Sequence, residues 1–173
     1  MSSDWSSDVC SSDLTTEGCY LEHAERVADR ETCERRLKSQ RMGLLRVQYQ
    51  ALSYPAESAA REAYSCMVFD NEEPHDLAER TGVLVRTGTA FVEDLPEDLG
   101  RHLLSAQPDE CLAPIQLASH EGYTVCKLLT KEEPRLSSGP VISRIKRRIV
   151  AESLEAEIES NLQWLPWRPE GDE

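Results

Sequence analysis

Between Leu44 and Leu129 the apolar residues switch repeatedly between strand spacing and helix spacing, and this alternation in short segments admits few architectures. Leu45, Val47, Tyr49 and Ala51 alternate with Arg46, Gln48 and Gln50, which predicts a half-buried strand over Leu44 to Leu52, ended by Pro55. Ala59, Ala60, Ala63, Tyr64 and Met67 then fall at helical spacing, with Glu57 in the first turn. A polar break at Asn71 to Pro74 precedes a short helix, His75 to Arg80, stopped by Thr81-Gly82 with glycine in the C-cap role. Val83 to Val85 opens a second extended stretch.

Leu95, Leu99, Leu103 and Leu104 form a stripe that predicts a helix beginning near Asp94, with Pro96 as an early residue. Pro108-Asp109-Glu110 makes a turn, Leu112 to Leu117 is apolar and extended, and Gly122 to Leu129 alternates. Those two stretches, joined through His120-Glu121-Gly122, read as a hairpin.

Charged, amphipathic segments flank this region. Tyr20 to Gln40 lacks Gly and Pro and reads as one helix, its Glu22 with Arg26, Glu31 with Arg35 and Glu34 with Lys38 at i,i+4 on a solvated face. A long helix starts at Ser138-Gly139-Pro140 and carries Ile142, Ile145, Ile149, Leu154, Ile158 and Leu162. Its basic cluster, Arg144 with Lys146, Arg147 and Arg148, precedes its acidic one, opposite to the macrodipole preference. The expected fold class is therefore α+β, a small mixed or antiparallel sheet with packed helices.

Met1 to Leu14 stands apart. Asp4 to Leu14 resembles, at all eleven positions, one reading frame of a widely used short-read sequencing adaptor. This predicts that the segment is foreign to the fold and that the chain is a fragment without its own N-terminus.

Charge excludes one class of partner. The chain has 32 acidic against 19 basic residues, a net charge of −13, and only three of the acids fall in the first fourteen residues. That balance argues against nucleic acid. The five cysteines beyond that segment, Cys19, Cys33, Cys66, Cys111 and Cys126, form no C-x-x-C pair and are odd in number. Neither a disulfide framework nor a zinc site is expected, and buried free thiols point weakly to the cytoplasm, with localisation left open. No run reaches the roughly 20 apolar residues of a membrane span. His23, His75, His102 and His120 are isolated, no phosphate loop or nucleophile elbow occurs, and no metal or cofactor is expected.

The stretch Leu45 to Leu129 resembles the parvulin (PpiC-type) peptidyl-prolyl isomerase domain, a four-stranded β-α-α-β-α-β-β module. Arg46-Val47-Gln48-Tyr49-Gln50-Ala51-Leu52 resembles the family's first strand, and His75-Asp76-Leu77-Ala78 its F-x-x-L-A helix turn. Leu95, Leu99 and Ala106 fall where the helix before the third strand is apolar. Pro108 to Ile115 looks like G-E-v-x-x-P-v, and Gly122-Tyr123-Thr124-Val125-Cys126-Lys127-Leu128 looks like the closing G-Y-H-I-I-K-V. The fold that this implies is a parvulin-like four-stranded sheet flanked by N- and C-terminal helices. The domains are then an adaptor-like 1–14, a flanking helix in 15–43, a parvulin-like domain in 44–131, a C-terminal helix in 138–165 and a tail in 166–173.

The resemblance also implies a site, and this chain departs from it. Active parvulins carry a His on the first strand, a His on the last, and a Cys or Asp in a loop. Here the two histidines align with Tyr49 and Thr124, and the loop is shortened to Thr81-Gly82. Asp109 replaces a turn glycine and must accept the backbone angle that glycine adopts freely. Isomerisation needs only a site that binds a twisted amide better than a planar one, against a barrier of about 18–20 kcal/mol. Tyr49 and Thr124 are the candidate catalytic hydroxyls; Phe91, Leu95 and Leu99 are the candidate substrate-binding residues, in a groove expected between the sheet and the Leu95-to-Leu104 helix.

Three functions remain open. One is a parvulin-like foldase or peptide-binding module with weak or no isomerase activity, acting on polypeptide. Another is an active isomerase with a substituted site. The third is a structural interaction domain that uses the long helix and the Trp164-Leu165-Pro166-Trp167 tail. In parvulin foldases the isomerase module often sits between helices of a chaperone lobe, which implies that Leu21, Val27 and Leu37 pack on Ile145, Ile149 and Ile158. The chain is similar, too, to degenerate parvulin-like proteins of bacterial peptide-maturation clusters. Oligomeric state is open.

Overall fold

A computed structural model describes residues 16–117 and 121–161, with side chains from residue 22 onward. The adaptor-like segment, His120 and the tryptophan tail lie outside the described residues. The chain divides into two compact units: Met1–Arg36 with Gly139–Glu173, and Leu37–Ser138.

The first unit is helical. The single helix expected over Tyr20 to Gln40 is two, α1 (Thr16–Val27) and α2 (Arg30–Ser39). Asp29 breaks it: its Oδ1 accepts the Thr32 backbone N–H at 2.7 Å, an N-cap that begins a new helix and satisfies a donor the old one would leave stranded. α1 packs on the long helix α6 (Gly139–Asn161). On α6, Val141, Ile145, Ile149 and Val150 are buried, whereas Leu154 and Ile158 are exposed. Ile158 is therefore not the buried contact that was expected of it. Arg36 of α2 pairs with Glu152 of α6, and Arg26 and His23 of α1 lie near Glu157 at 3.7 and 3.8 Å.

The second unit follows the expected order. β1 (Arg46–Tyr54), α3 (Glu57–Phe69), α4 (Pro74–Thr81), β2 (Arg86–Phe91), α5 (Glu97–Ser105), β3 (Cys111–Ile115) and β4 (Tyr123–Glu132) give β-α-α-β-α-β-β. A 3-10 turn, Val92–Asp94, separates β2 from α5. The helix expected from Asp94 therefore starts at Glu97, with Pro96 in the capping position. All strand pairs are antiparallel, in the order β2-β1-β4-β3.

Each face of the sheet is covered. Val47, Ala51, Cys126, Leu128, Leu112 and Ile115 pack with Leu99 and Leu103 of α5 on one face. Leu52, Tyr54 and Val125 pack with Ala60, Ala63 and Met67 of α3 and Leu77 of α4 on the other. The period of two along β1 assigns its residues to these two layers. Left-handed backbone sits where turns need it: Gly82 (φ 72) caps α4, and Asp109 (φ 65) occupies the turn before β3. The Asp109 amide donates to Leu128 O at 2.7 Å, tying that turn to β4.

Candidate functional site

Tyr49 leaves β1 on the α5 face. Its partners across the ladder are Leu128 of β4 and Gly88 of β2. The ring reaches over β2, because a β-carbon on Gly88 would meet Tyr49 Cζ at 2.9 Å and its hydroxyl oxygen at 3.0 Å. The residue is half-buried, and burial, with a smaller contribution from the neighbouring Cys126, pushes its phenol pKa up. Tyr49 thus stays neutral across the physiological range.

Thr124 lies on the same face, opposite Ser53 of β1 and Ile115 of β3. It is buried, and its hydroxyl lies 3.4 Å from Ser53 Oγ, a long hydrogen bond. Ser53 is four residues from Tyr49 on one strand, a separation of about 13 Å at the rise of an extended chain. Between the two hydroxyl positions lies the pair Ala51 and Cys126. Cys126 is fully buried, and burial alone holds its thiol at about 12, so it contributes no thiolate. The floor of the site is therefore apolar, and Tyr49 and Thr124 do not converge on one point.

The candidate binding residues separate in a similar way. Leu99 is 4% exposed and belongs to the core beneath α5, as do Leu103 and Ala106. The interval between sheet and α5, where a groove was expected, is filled by this packing: leucines at i and i+4 turn into the sheet to bury their area. Leu95 and Phe91 are half-buried. An open groove of about 380 Å³ lies instead on the outer side of α5, against the 3-10 turn, lined by Val92, Glu93, Leu95, Glu97, Gly100, Arg101 and Leu104. Gly100 lets α5 pass close to the 3-10 turn, since a β-carbon there would crowd Val92 O at 3.3 Å. Sequence reasoning missed Gly88, Ser53 and Gly100. Ser53 shares strand parity with Tyr49, but its meeting with Thr124 is a matter of register.

The opposite face carries its own polar pairs. Lys127 Nζ bonds both oxygens of Glu73 at 2.9 Å, and Gln50 Nε2 lies 3.1 Å from His75 Nε2. Among the described residues no group of three or more His, Cys, Asp or Glu is arranged to hold a metal ion, and no helix is long and apolar enough to cross a membrane.

No family model matches the chain, and no curated protein matches it. Solved structures do match. The chain is similar to the peptidylprolyl isomerase PrsA from Bacillus anthracis, at 15% identity over 83% of this chain and 71% of that one, with a TM-score of 0.43. It is similar to PrsA from Bacillus subtilis at 13% identity over 88% of this chain and 63% of that one, with a TM-score of 0.40. A SurA-like chaperone structure from Campylobacter jejuni aligns at 8% identity over 88% of this chain and 62% of that one, with a TM-score of 0.35. The chain spans less than two thirds of the length of the last two. These solved structures are PrsA proteins and a SurA-like chaperone.

Proposed function

We propose that this chain is a parvulin-like peptide-holding module of a foldase, with weak or no prolyl isomerase activity. The observation that carries the second half is the separation of Tyr49 and Thr124 by a buried apolar pair, Ala51 and Cys126. Lowering the barrier to amide rotation depends on preorganised polar groups aimed at one changing charge, and two side chains whose backbone positions lie about 13 Å apart along the strand direction do not share that task. The first half is supported by the β-α-α-β-α-β-β order and the four-stranded antiparallel sheet, which fit the module that the parvulin resemblance implies. Extended polypeptide is the substrate class. Phe91 and Leu95, half-buried at the end of β2 and before α5, contribute apolar contact; Leu99 supports them from the core.

The test pairs two measurements on one peptide series. Fluorescence anisotropy reports binding, and a protease-coupled assay reports cis-to-trans conversion of the same X-Pro bonds. Binding without acceleration is the expected result. Acceleration that falls in Tyr49→Phe or Thr124→Val would replace this reading with that of an active isomerase with a substituted site.

A further inference from the structure

We infer that the outer edge of β2 takes up a stretch of extended polypeptide as a fifth, antiparallel strand, with one apolar side chain of that stretch lying on the Tyr49 ring. The inference rests on the peptide-holding reading above and adds to it where the peptide lies and which of its groups are gripped.

β2 ends the β2-β1-β4-β3 sheet: β1 lies on one side, and among the described residues no strand lies on the other. None of its six residues is buried. Val92, which follows β2, donates its amide to Leu45 O at 2.9 Å. Hydrogen-bonded and non-hydrogen-bonded pairs alternate along an antiparallel ladder, so Ala90, Gly88 and Arg86 bond to β1, and the amides and carbonyls of Thr87 and Thr89 point outward. The two edges of the sheet differ. β3 carries Pro114 and a register shift between Leu112 and Ile115, two devices that blunt an edge. β2 has no proline and no shift against β1, and its one charged residue, Arg86, is its first.

The edge selects its occupant. Donors and acceptors that repeat every two residues are matched by another extended chain and by no helix. On the α5 face, a residue placed opposite Gly88 meets the Tyr49 ring, because directly paired residues share a face and Gly88 has no side chain of its own there. Tyr49 is half-buried, so ring surface remains for an apolar side chain to cover. A second copy of the chain would also present a strand, but each copy carries a net charge of −13, and that repulsion opposes self-association.

The test uses the full chain and a blocked, fluorescent heptapeptide of threonine and serine with leucine at its centre, followed by anisotropy. With the leucine opposite Gly88, the amides of the third and fifth residues meet Thr89 and Thr87, while the amide of the leucine points away. N-methylation of the third or the fifth residue is expected to weaken binding about tenfold, and N-methylation of the leucine to leave it within about twofold. This pattern is read on the wild-type chain and needs no variant to fold. Thr89→Pro, which removes an outward amide but no bond to β1, is expected to weaken binding about tenfold with the circular dichroism spectrum kept. Tyr49→Ala is expected to erase the preference for central leucine over central serine. Equal responses to N-methylation at the three positions, undiminished binding by Thr89→Pro, or a leucine preference that survives Tyr49→Ala overturns the inference and leaves the peptide-holding reading standing. No binding of the unmodified peptide overturns both. A dimer in sedimentation equilibrium that Thr89→Pro splits into monomers gives the edge to a second copy and overturns the inference as well.

Discussion

The aromatic ring of Tyr49 occupies the space that a side chain on Gly88 would need: a β-carbon at 88 would lie 2.9 Å from Tyr49 Cζ. Tyr49, a candidate site residue in the sequence, is thus committed to covering a neighbouring strand. Gly88→Ala is expected to displace the ring and to cost about 1–3 kcal/mol in urea denaturation, the range for overpacking. In a Tyr49→Ala background the clash is gone and the strand gains a better former than glycine, so the same change should be neutral or stabilising. Equal effects in the two backgrounds would show that the two residues do not share this space.

Gly122 and Gly82 both have positive φ, and they should respond differently to alanine. At Gly122 (φ 115) a β-carbon would meet Tyr54 O at 2.5 Å, whereas at Gly82 (φ 72) nothing lies within 4 Å. Gly82→Ala carries only the left-handed cost, about 1–2 kcal/mol. Gly122→Ala adds a clash with backbone that cannot swing away, and should cost about 3 kcal/mol or more. Thermal melts of the two variants compare them directly.

Stability should fall at alkaline pH. Cys126, Cys33, Cys111 and Tyr49 all have pKa values raised by burial, Cys126 to about 12. A folded pKa above the unfolded one contributes stability that is complete below the unfolded value. For a thiol that value is about 8.5, and the contribution is lost as pH climbs toward the folded one. The loss approaches about 1.4 kcal/mol per pH unit for each fully protected group. Cys126→Ala should flatten the slope of stability against pH above neutrality, even though it lowers stability at neutral pH. An unchanged slope would remove Cys126 from the account.

Asp29 should matter through its cap. Its carboxylate pKa is lowered, first by its bonds to Thr32, so its contribution is present above the unfolded aspartate pKa and is lost as pH falls through the folded one. Asp29→Ala should lower the melting temperature and reduce helical circular dichroism, and Asp29→Asn, which keeps an acceptor oxygen, should restore most of both. If both variants melt alike, the side-chain cap is not what divides α1 from α2.

Much of the second unit was legible because its signals are local. Leu99 and Leu103 at helical spacing, Thr81-Gly82 as a helix stop, and the alternation from Leu45 to Ala51 each concern a few consecutive residues, and each appears as read, whereas Leu95 of the same stripe falls before the helix. The division of Tyr20–Gln40 was less so: Asp29 sits in a run of good helix formers, and only its side-chain bond to Thr32 marks it as a cap. The stripe on α6 overran in the same way, since Leu154 and Ile158 continue the apolar period into solvent.

The candidate site lies at the other extreme. Periodicity fixes which face of its own strand Tyr49 or Thr124 takes, and the residue order alone predicted an α+β chain with four strands. Whether those two side chains meet depends on the register between β1 and β4, whose Ser53 and Thr124 are 71 residues apart in sequence, and on a register shift at Gln48 and Tyr49. A slip of one residue would reverse every side chain on the strand, and that choice is made by burial across the whole sheet, which no local spacing encodes. Only the tertiary structure decided that Ala51 and Cys126 lie between the two hydroxyls, that the leucines close the space beneath α5, and that the open groove lies above it.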